Sequence, residues 1–210
     1  MTAPAQSTWQ PTSREQAALA RQAHVQTLGR VDQVWPWLQS HHGEVMAVDA
    51  PHAAHPERLS YQALAERIDQ AAAAFRSLQI GSGDVVGLFA ENSPRWLVAD
   101  QGLMRAGAID AVRGAAAPVE ELRYILEDSS AVALVVQTAD LLQRLQLPTE
   151  LQERLRFVLV LEGSAPAGAL DFDTFLGLAS GQEAPDPITA RDCASAPATT
   201  ATILYTSGTT

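Results

Sequence analysis

Apolar residues recur every three or four positions through the middle of this chain, and short unbroken apolar runs separate those stretches. The two spacings together predict its elements. Leu64, Ile68, Ala71, Phe75 and Leu78 share one face of a cylinder whose other sides carry Glu66, Arg67, Asp69 and Arg76, so an amphipathic helix is expected. Ser60 is its expected N-cap and Gly81 its end. Ala63 stands where a reciprocal capping box would need Glu or Gln, which leaves a simple cap. Residues 85–90 form an apolar strand, and Ser93 then caps a helix with Pro94 at its first position, where the missing N–H costs nothing. Trp96, Leu97, Leu103 and Met104 give that helix its apolar face, and Gly107 stops it. Residues 108–112, 131–136 and 157–161 read as strands, residues 139–147 as a helix, and Pro118 opens another with Val119, Leu122, Ile125 and Leu126 inward. Alternation of this kind from residue 85 to 161 predicts an α/β fold, a layered, mostly parallel sheet flanked by helices.

Outside that segment the pattern is weaker. Residues 1–13 are rich in Pro, Thr, Ser and Gln and predict a disordered tail, with the domain occupying 14–210. Ser13 is the expected cap of a first helix, with Glu15 in its first turn and Leu19, Val25 and Leu28 as a modest stripe. Asp32 offers a second cap ahead of Val34, Trp35, Trp37 and Leu38, whose aromatics are expected in the core, and Pro36 restricts this to a first turn or an irregular segment. Residues 45–49 read as a short strand. After Glu162, glycine and proline punctuate the chain; a short helix over 173–178, capped by Asp171 or Asp173, is followed by a surface connection over 181–200. Residues 202–205 then read as a buried strand.

Composition narrows the function classes. The 210 residues are 47% hydrophobic, enough for a core, and carry 24 acidic against 14 basic side chains, a formal charge of −10 that argues against nucleic acid as a partner. Every basic residue is arginine. A single cysteine, Cys193, excludes an internal disulfide and fits a cytoplasmic location. No run approaches the ~20 apolar residues of a membrane span. His52-x-x-His55 has metal-ligand spacing, but the nearby sequence supplies no cysteine or carboxylate cluster and Pro51 and Pro56 mark an exposed loop, so no metal ligands are assigned. Gly81-Ser82-Gly83-Asp84 precedes a strand, whereas a dinucleotide fingerprint must follow one; it reads as a turn.

The candidate chemistry lies at the end. Thr206, Ser207, Gly208, Thr209 and Thr210 follow the last strand as a hydroxyl and glycine loop, suited to gripping phosphate through O–H and main-chain N–H donors while Gly208 lets the backbone come close. A Ser/Thr-rich turn after an ordinary strand would look the same, and six residues alone do not decide between the two.

Tyr205-Thr206-Ser207-Gly208-Thr209-Thr210 resembles the opening of the phosphate-binding loop of the acyl-adenylate-forming, or AMP-binding, superfamily of acyl-CoA synthetases, nonribosomal adenylation domains and luciferases. Further upstream, Glu91-Asn92-Ser93-Pro94-Arg95-Trp96, Ala99-Asp100-Gln101-Gly102 and Ala106-Gly107-Ala108 resemble the N-terminal region of its long-chain acyl-activating members, and Leu59-Ser60-Tyr61 and Gly83-Asp84 match the family's order. Asp110-Ala111-Val112-Arg113-Gly114 stands where most members carry a proline, which is similar to acyl-carrier-protein synthetases of cyanobacteria and plastids. By resemblance, a fatty carboxylate attacks the α-phosphate of Mg·ATP and the acyl-AMP is then passed to CoA or acyl-carrier protein, with residues 206–210 holding the β- and γ-phosphates.

In that family the loop continues through Gly-x-Pro-Lys-Gly, and this sequence stops short of it. The resemblance therefore implies the N-terminal, incomplete portion of the large domain of a longer enzyme, inactive by itself, with peripheral membrane contact left open for the full-length protein. No catalytic residue is assigned: Asp100 and Asp110 read as caps or solvated charges, and Arg113 as a surface or capping arginine or a site residue. An aryl or amino acid activating enzyme and a non-catalytic α/β binding module remain alternatives.

Overall fold

The computed structural model describes residues 11–22, 28, 31–179 and 200–205. The expected tail therefore lies almost wholly outside the described residues, as does the connection expected over 181–200.

Helix α1 (Ser13–Gln22) is capped by Thr12 rather than by Ser13. The Glu15 amide donates to the Thr12 hydroxyl at 3.3 Å, while the Thr12 amide donates to the Glu15 carboxylate at 2.7 Å, a reciprocal box one residue earlier than expected. Helix α2 (Val34–His42) follows a 3-10 turn, Val31–Gln33, so Gln33 and not Asp32 stands at its N-cap. Pro36 sits in the first turn, where its missing N–H breaks no helical bond. The aromatics of α2 are half-buried instead of forming core: Trp35 packs at the core's margin with its indole N–H on Gln101 at 2.6 Å, and Trp37 stacks on His41.

Strands β1 (Met46–Ala50) and β2 (Glu57–Ser60) form an antiparallel pair that stands apart from the main sheet. Ser60 then caps α3 (Tyr61–Ser77), its hydroxyl accepting from the Ala63 amide at 3.2 Å. The helix stops before Gly81, because Gln79 already takes the left-handed backbone at φ 62°.

The main sheet follows. It consists of β3 (Val85–Phe89), β4 (Ile109–Arg113), β5 (Ala133–Thr138), β6 (Val158–Glu162), β7 (Leu170–Asp171) and β8 (Thr202–Leu204), in the order β7-β6-β5-β3-β4-β8. Every pairing is parallel. Its helices are α4 (Pro94–Ala106), α5 (Val119–Asp128), α6 (Ala139–Leu145), α7 (Thr149–Arg154) and α8 (Phe172–Gly177). The helix expected over 139–147 is α6, which ends two residues early where Gln146 turns left-handed (φ 37°), and α7 is a separate helix after Pro148. Asp171 caps α8, accepting from the Thr174 amide at 2.8 Å.

Side chains alternate across the sheet, and the two sets make two cores. Val86, Leu88, Val135, Leu159 and Leu161 point to α3, α4 and α8, where they meet Ile68, Phe75, Val98, Leu103, Phe172 and Phe175. Phe89, Leu134, Val136 and Val160 point the other way, onto Leu122, Ile125 and Leu126 of α5 and Leu141 and Leu145 of α6. Each buried side chain of this size contributes roughly 1.5–3 kcal/mol of transfer free energy. On α4 the inward face is Val98, Ala99, Gly102, Leu103 and Ala106, with Trp96 and Leu97 half-buried at its margin. Gly102 is the point of closest approach: a Cβ there would stand 2.7 Å from the Ala71 Cβ of α3.

β8 departs from its expected burial. It pairs only with β4 among the described residues, and Leu204 is 70% exposed, so the strand is a half-covered edge.

Candidate functional site

In an open parallel sheet, ligands bind outside the carboxyl ends of the strands, where helix N-termini and loops converge. Here that edge carries Glu91 after β3, Arg113 at the end of β4, Gln137 and Thr138 at the end of β5, Glu162 at the end of β6 and Tyr205 after β8. Strand order reverses at the β3 and β5 pair, since β4 lies to one side of β3 and β5, β6 and β7 to the other. The Gln137 side chain bridges that crevice by accepting the Glu91 amide at 3.2 Å. The Glu91 carboxylate in turn accepts from the Ala116 amide at 3.4 Å, and a Cβ on Gly114 would come within 2.9 Å of it. Ser93, capping α4 through the Trp96 amide at 3.1 Å, turns the chain away from this edge.

Arg113 is neither a free surface charge nor a helix cap. Its side chain is 29% exposed; it pairs with Glu121 of α5 at 2.8 Å and reaches the Tyr205 carbonyl at 3.4 Å. Its Nε, buried, has no hydrogen-bond partner among the described residues. Tyr205, the residue that leads into 206–210, donates its hydroxyl to Asp128 at 2.7 Å, and Tyr124 donates to the same carboxylate at 3.2 Å. Burial first, and then the Asp128 hydrogen bond and charge, push the Tyr205 hydroxyl up to about 12.

A second polar group at this edge is built around Arg95. One guanidinium nitrogen donates to the Leu161 carbonyl at 2.8 Å, the plane lies 4.8 Å above the Phe172 ring, and the Asp173 carboxylate is 3.6 Å away. His55, from the β1 to β2 turn, pairs with Glu162 at 3.2 Å.

Asp100 and Asp110 differ from their expected role as caps or solvated charges. Asp110 is fully buried at the amino end of β4 and Asp100, on α4, is 5% exposed. Neither Asp110 oxygen has a hydrogen-bond partner among the described residues, and the Thr202 hydroxyl opposite it in register has none either. Burial, then the neighbouring Asp100, raises the Asp110 carboxyl to about 8. Because this pair sits at the opposite end of β4 from Arg113, it lies away from the ligand edge.

Of the residues singled out for phosphate, Thr206, Ser207, Gly208, Thr209 and Thr210 all lie outside the described residues. What the structure adds is the surroundings of Tyr205: Glu121, Tyr124 and Asp128, which sequence reasoning passed over. Their spacing along α5, three and then four residues, is the signal that marks them as one stripe beside the buried Leu122, Ile125 and Leu126.

Known proteins fit this geometry. Residues 36–210 match the family model described as AMP-binding enzyme. A chloroplastic long-chain-fatty-acid–[acyl-carrier-protein] ligase of Arabidopsis thaliana, AEE15, is 35% identical over 133 residues, 63% of this chain and 18% of that protein. Long-chain-fatty-acid–CoA ligase FadD15 of Mycobacterium tuberculosis is 30% identical over 189 residues, 83% of this chain and 31% of its own length. Among solved structures, apo MbtA of Mycobacterium smegmatis superposes with a TM-score of 0.67 at 30% identity, covering 96% of this chain and 36% of that one. The chain thus spans about a fifth to a third of the length of these relatives, and with the matched model running from residue 36 through the parallel sheet to its last residue, it belongs to the AMP-binding enzyme family.

Proposed function

We propose that this chain is the front part of a ligase that activates a long-chain fatty acid with Mg·ATP and transfers the acyl group to a thiol, on CoA or on acyl-carrier protein. In the first step a carboxylate oxygen bonds to the α-phosphorus as the bond to pyrophosphate breaks. In the second, a thiol sulfur bonds to the acyl carbonyl and AMP departs. A carboxylate is already ionised at neutral pH, so no base is needed for the first step. The need is for donors that take up the charge of departing pyrophosphate.

The observation that carries the reading is the position of β8. It lies parallel to β4 and delivers the chain, through Tyr205, to the carboxyl edge of the sheet. Thr206, Ser207, Gly208, Thr209 and Thr210 are assigned to the β- and γ-phosphates on that ground, with the buried Arg113 Nε as a nearby cationic donor. The names of the two fatty acid ligases among the relatives favour a fatty acid over an aryl or amino acid.

ATP–pyrophosphate exchange by the full-length protein tests the proposal. Exchange that depends on long-chain fatty acids is expected. Exchange driven by aryl or amino acids alone would replace the substrate class, and none with any carboxylic acid would remove the activity. Adding CoA or acyl-carrier protein then identifies the acceptor.

A further inference from the structure

Resting on the reading above, we infer that Asp128 is a positioning residue: by holding the Tyr205 hydroxyl from the end of α5, it fixes where the chain leaves β8 toward the phosphates. The β4 and β8 ladder runs from Asp110 opposite Thr202 to Val112 opposite Leu204 and stops one residue before Tyr205. Side chains hold Tyr205 as well. Its hydroxyl meets Asp128 at 2.7 Å, its carbonyl meets Arg113 at 3.4 Å, and its ring packs edge-on to Tyr124 with centroids 6.4 Å apart.

All three contacts lead back to one face of α5. Glu121 pairs with Arg113 at 2.8 Å, Tyr124 supplies the ring and donates to Asp128 at 3.2 Å, and Asp128 accepts both tyrosine hydroxyls. Asp128 is also a poor choice for helix stability. As the last residue of α5 it places an anion at the negative end of the helix dipole, where a cation is favoured. A residue that breaks a local rule needs a gain elsewhere, and here the gain is geometry at Tyr205. Asp128 and Tyr124 are exposed, so removing them leaves both cores intact.

The test uses Asp128→Ala, Asp128→Asn and Tyr205→Phe in the full-length protein. Expected is a fall of about 10- to 100-fold in kcat/KM for ATP in Asp128→Ala, with KM for the carboxylic acid unchanged. Asp128→Asn, which keeps one acceptor, should fall between, and Asp128→Ala combined with Tyr205→Phe should be no worse than the more severe single change. Amide hydrogen exchange should quicken at 203–205 and stay constant in α5 and β3. Unchanged kcat/KM for ATP together with unchanged amide protection would overturn the inference. If the unsubstituted protein shows no exchange activity while Asp128→Ala still loses protection at 203–205, the ligase reading fails and the anchoring of Tyr205 stands.

Discussion

Asp110 keeps its proton in the folded chain at a pH where a free aspartate has lost it. Its pKa is raised to about 8, against about 4 for the unfolded chain, so the protonated carboxyl contributes stability that is complete below about pH 4. That contribution is lost as pH climbs through about 8. In Asp110→Asn the side chain stays neutral at every pH. The melting temperature of the variant is therefore expected to gain on that of the parent from pH 5 to pH 8 and to hold a constant difference above about pH 9, which a pH series of thermal melts reads directly. Nothing in the sequence marks Asp100 and Asp110 as neighbours, because one lies on a helix and the other on a strand. Only the packing of α4 on the sheet joins them. Local signals are more legible, though not wholly so: Ser60 and Ser93 each cap the helix that their sequence context announces, since a cap depends on residues three places away, whereas Thr12 and not Ser13 caps the first helix.

At the level of elements, the strands from β3 to β6 follow the apolar runs to within two residues, because a strand buried on both faces has few other ways to read. The shorter pieces are less legible. β2 and β7, with two to four residues each, acquire their form from pairing partners and not from their own pattern. Contact between elements rests on small residues that carry no periodic signal. Gly102→Ala would push a methyl to 2.7 Å from Ala71, and since both helices are pinned on the sheet, a loss of about 1–3 kcal/mol is expected in denaturant unfolding. Arginine joins elements elsewhere. Arg154 donates to the carbonyls of Leu126 and Ala131, Arg123 to those of Leu145 and Gln146, and Arg76 to that of Arg105. A planar fork suits such paired acceptors better than a lysine ammonium, and in this lysine-free chain those side chains bind elements together.

For the whole molecule, the family and the α/β class are legible from ordered motifs between Leu59 and Thr210, whereas the proposed site is legible only in its loop. The side chains that meet Tyr205 come from α5, some eighty positions earlier. Since the chain spans 18% of one relative and 31% of another, the 210 residues by themselves are expected to give no ATP–pyrophosphate exchange with any fatty acid, a result that a radiolabelled pyrophosphate assay reports without ambiguity. The strand order also has a temporal meaning. β3 to β7 pair with neighbours close in sequence, while β8 must return to β4 from 92 residues further on, judged by the Arg113 and Tyr205 contact. Closing so long a loop is slow, and during synthesis five strands are available to fold before the sixth has been made. β8 is thus the last of these six strands to be made, so the emerging chain carries the other five before the strand that leads into Tyr205.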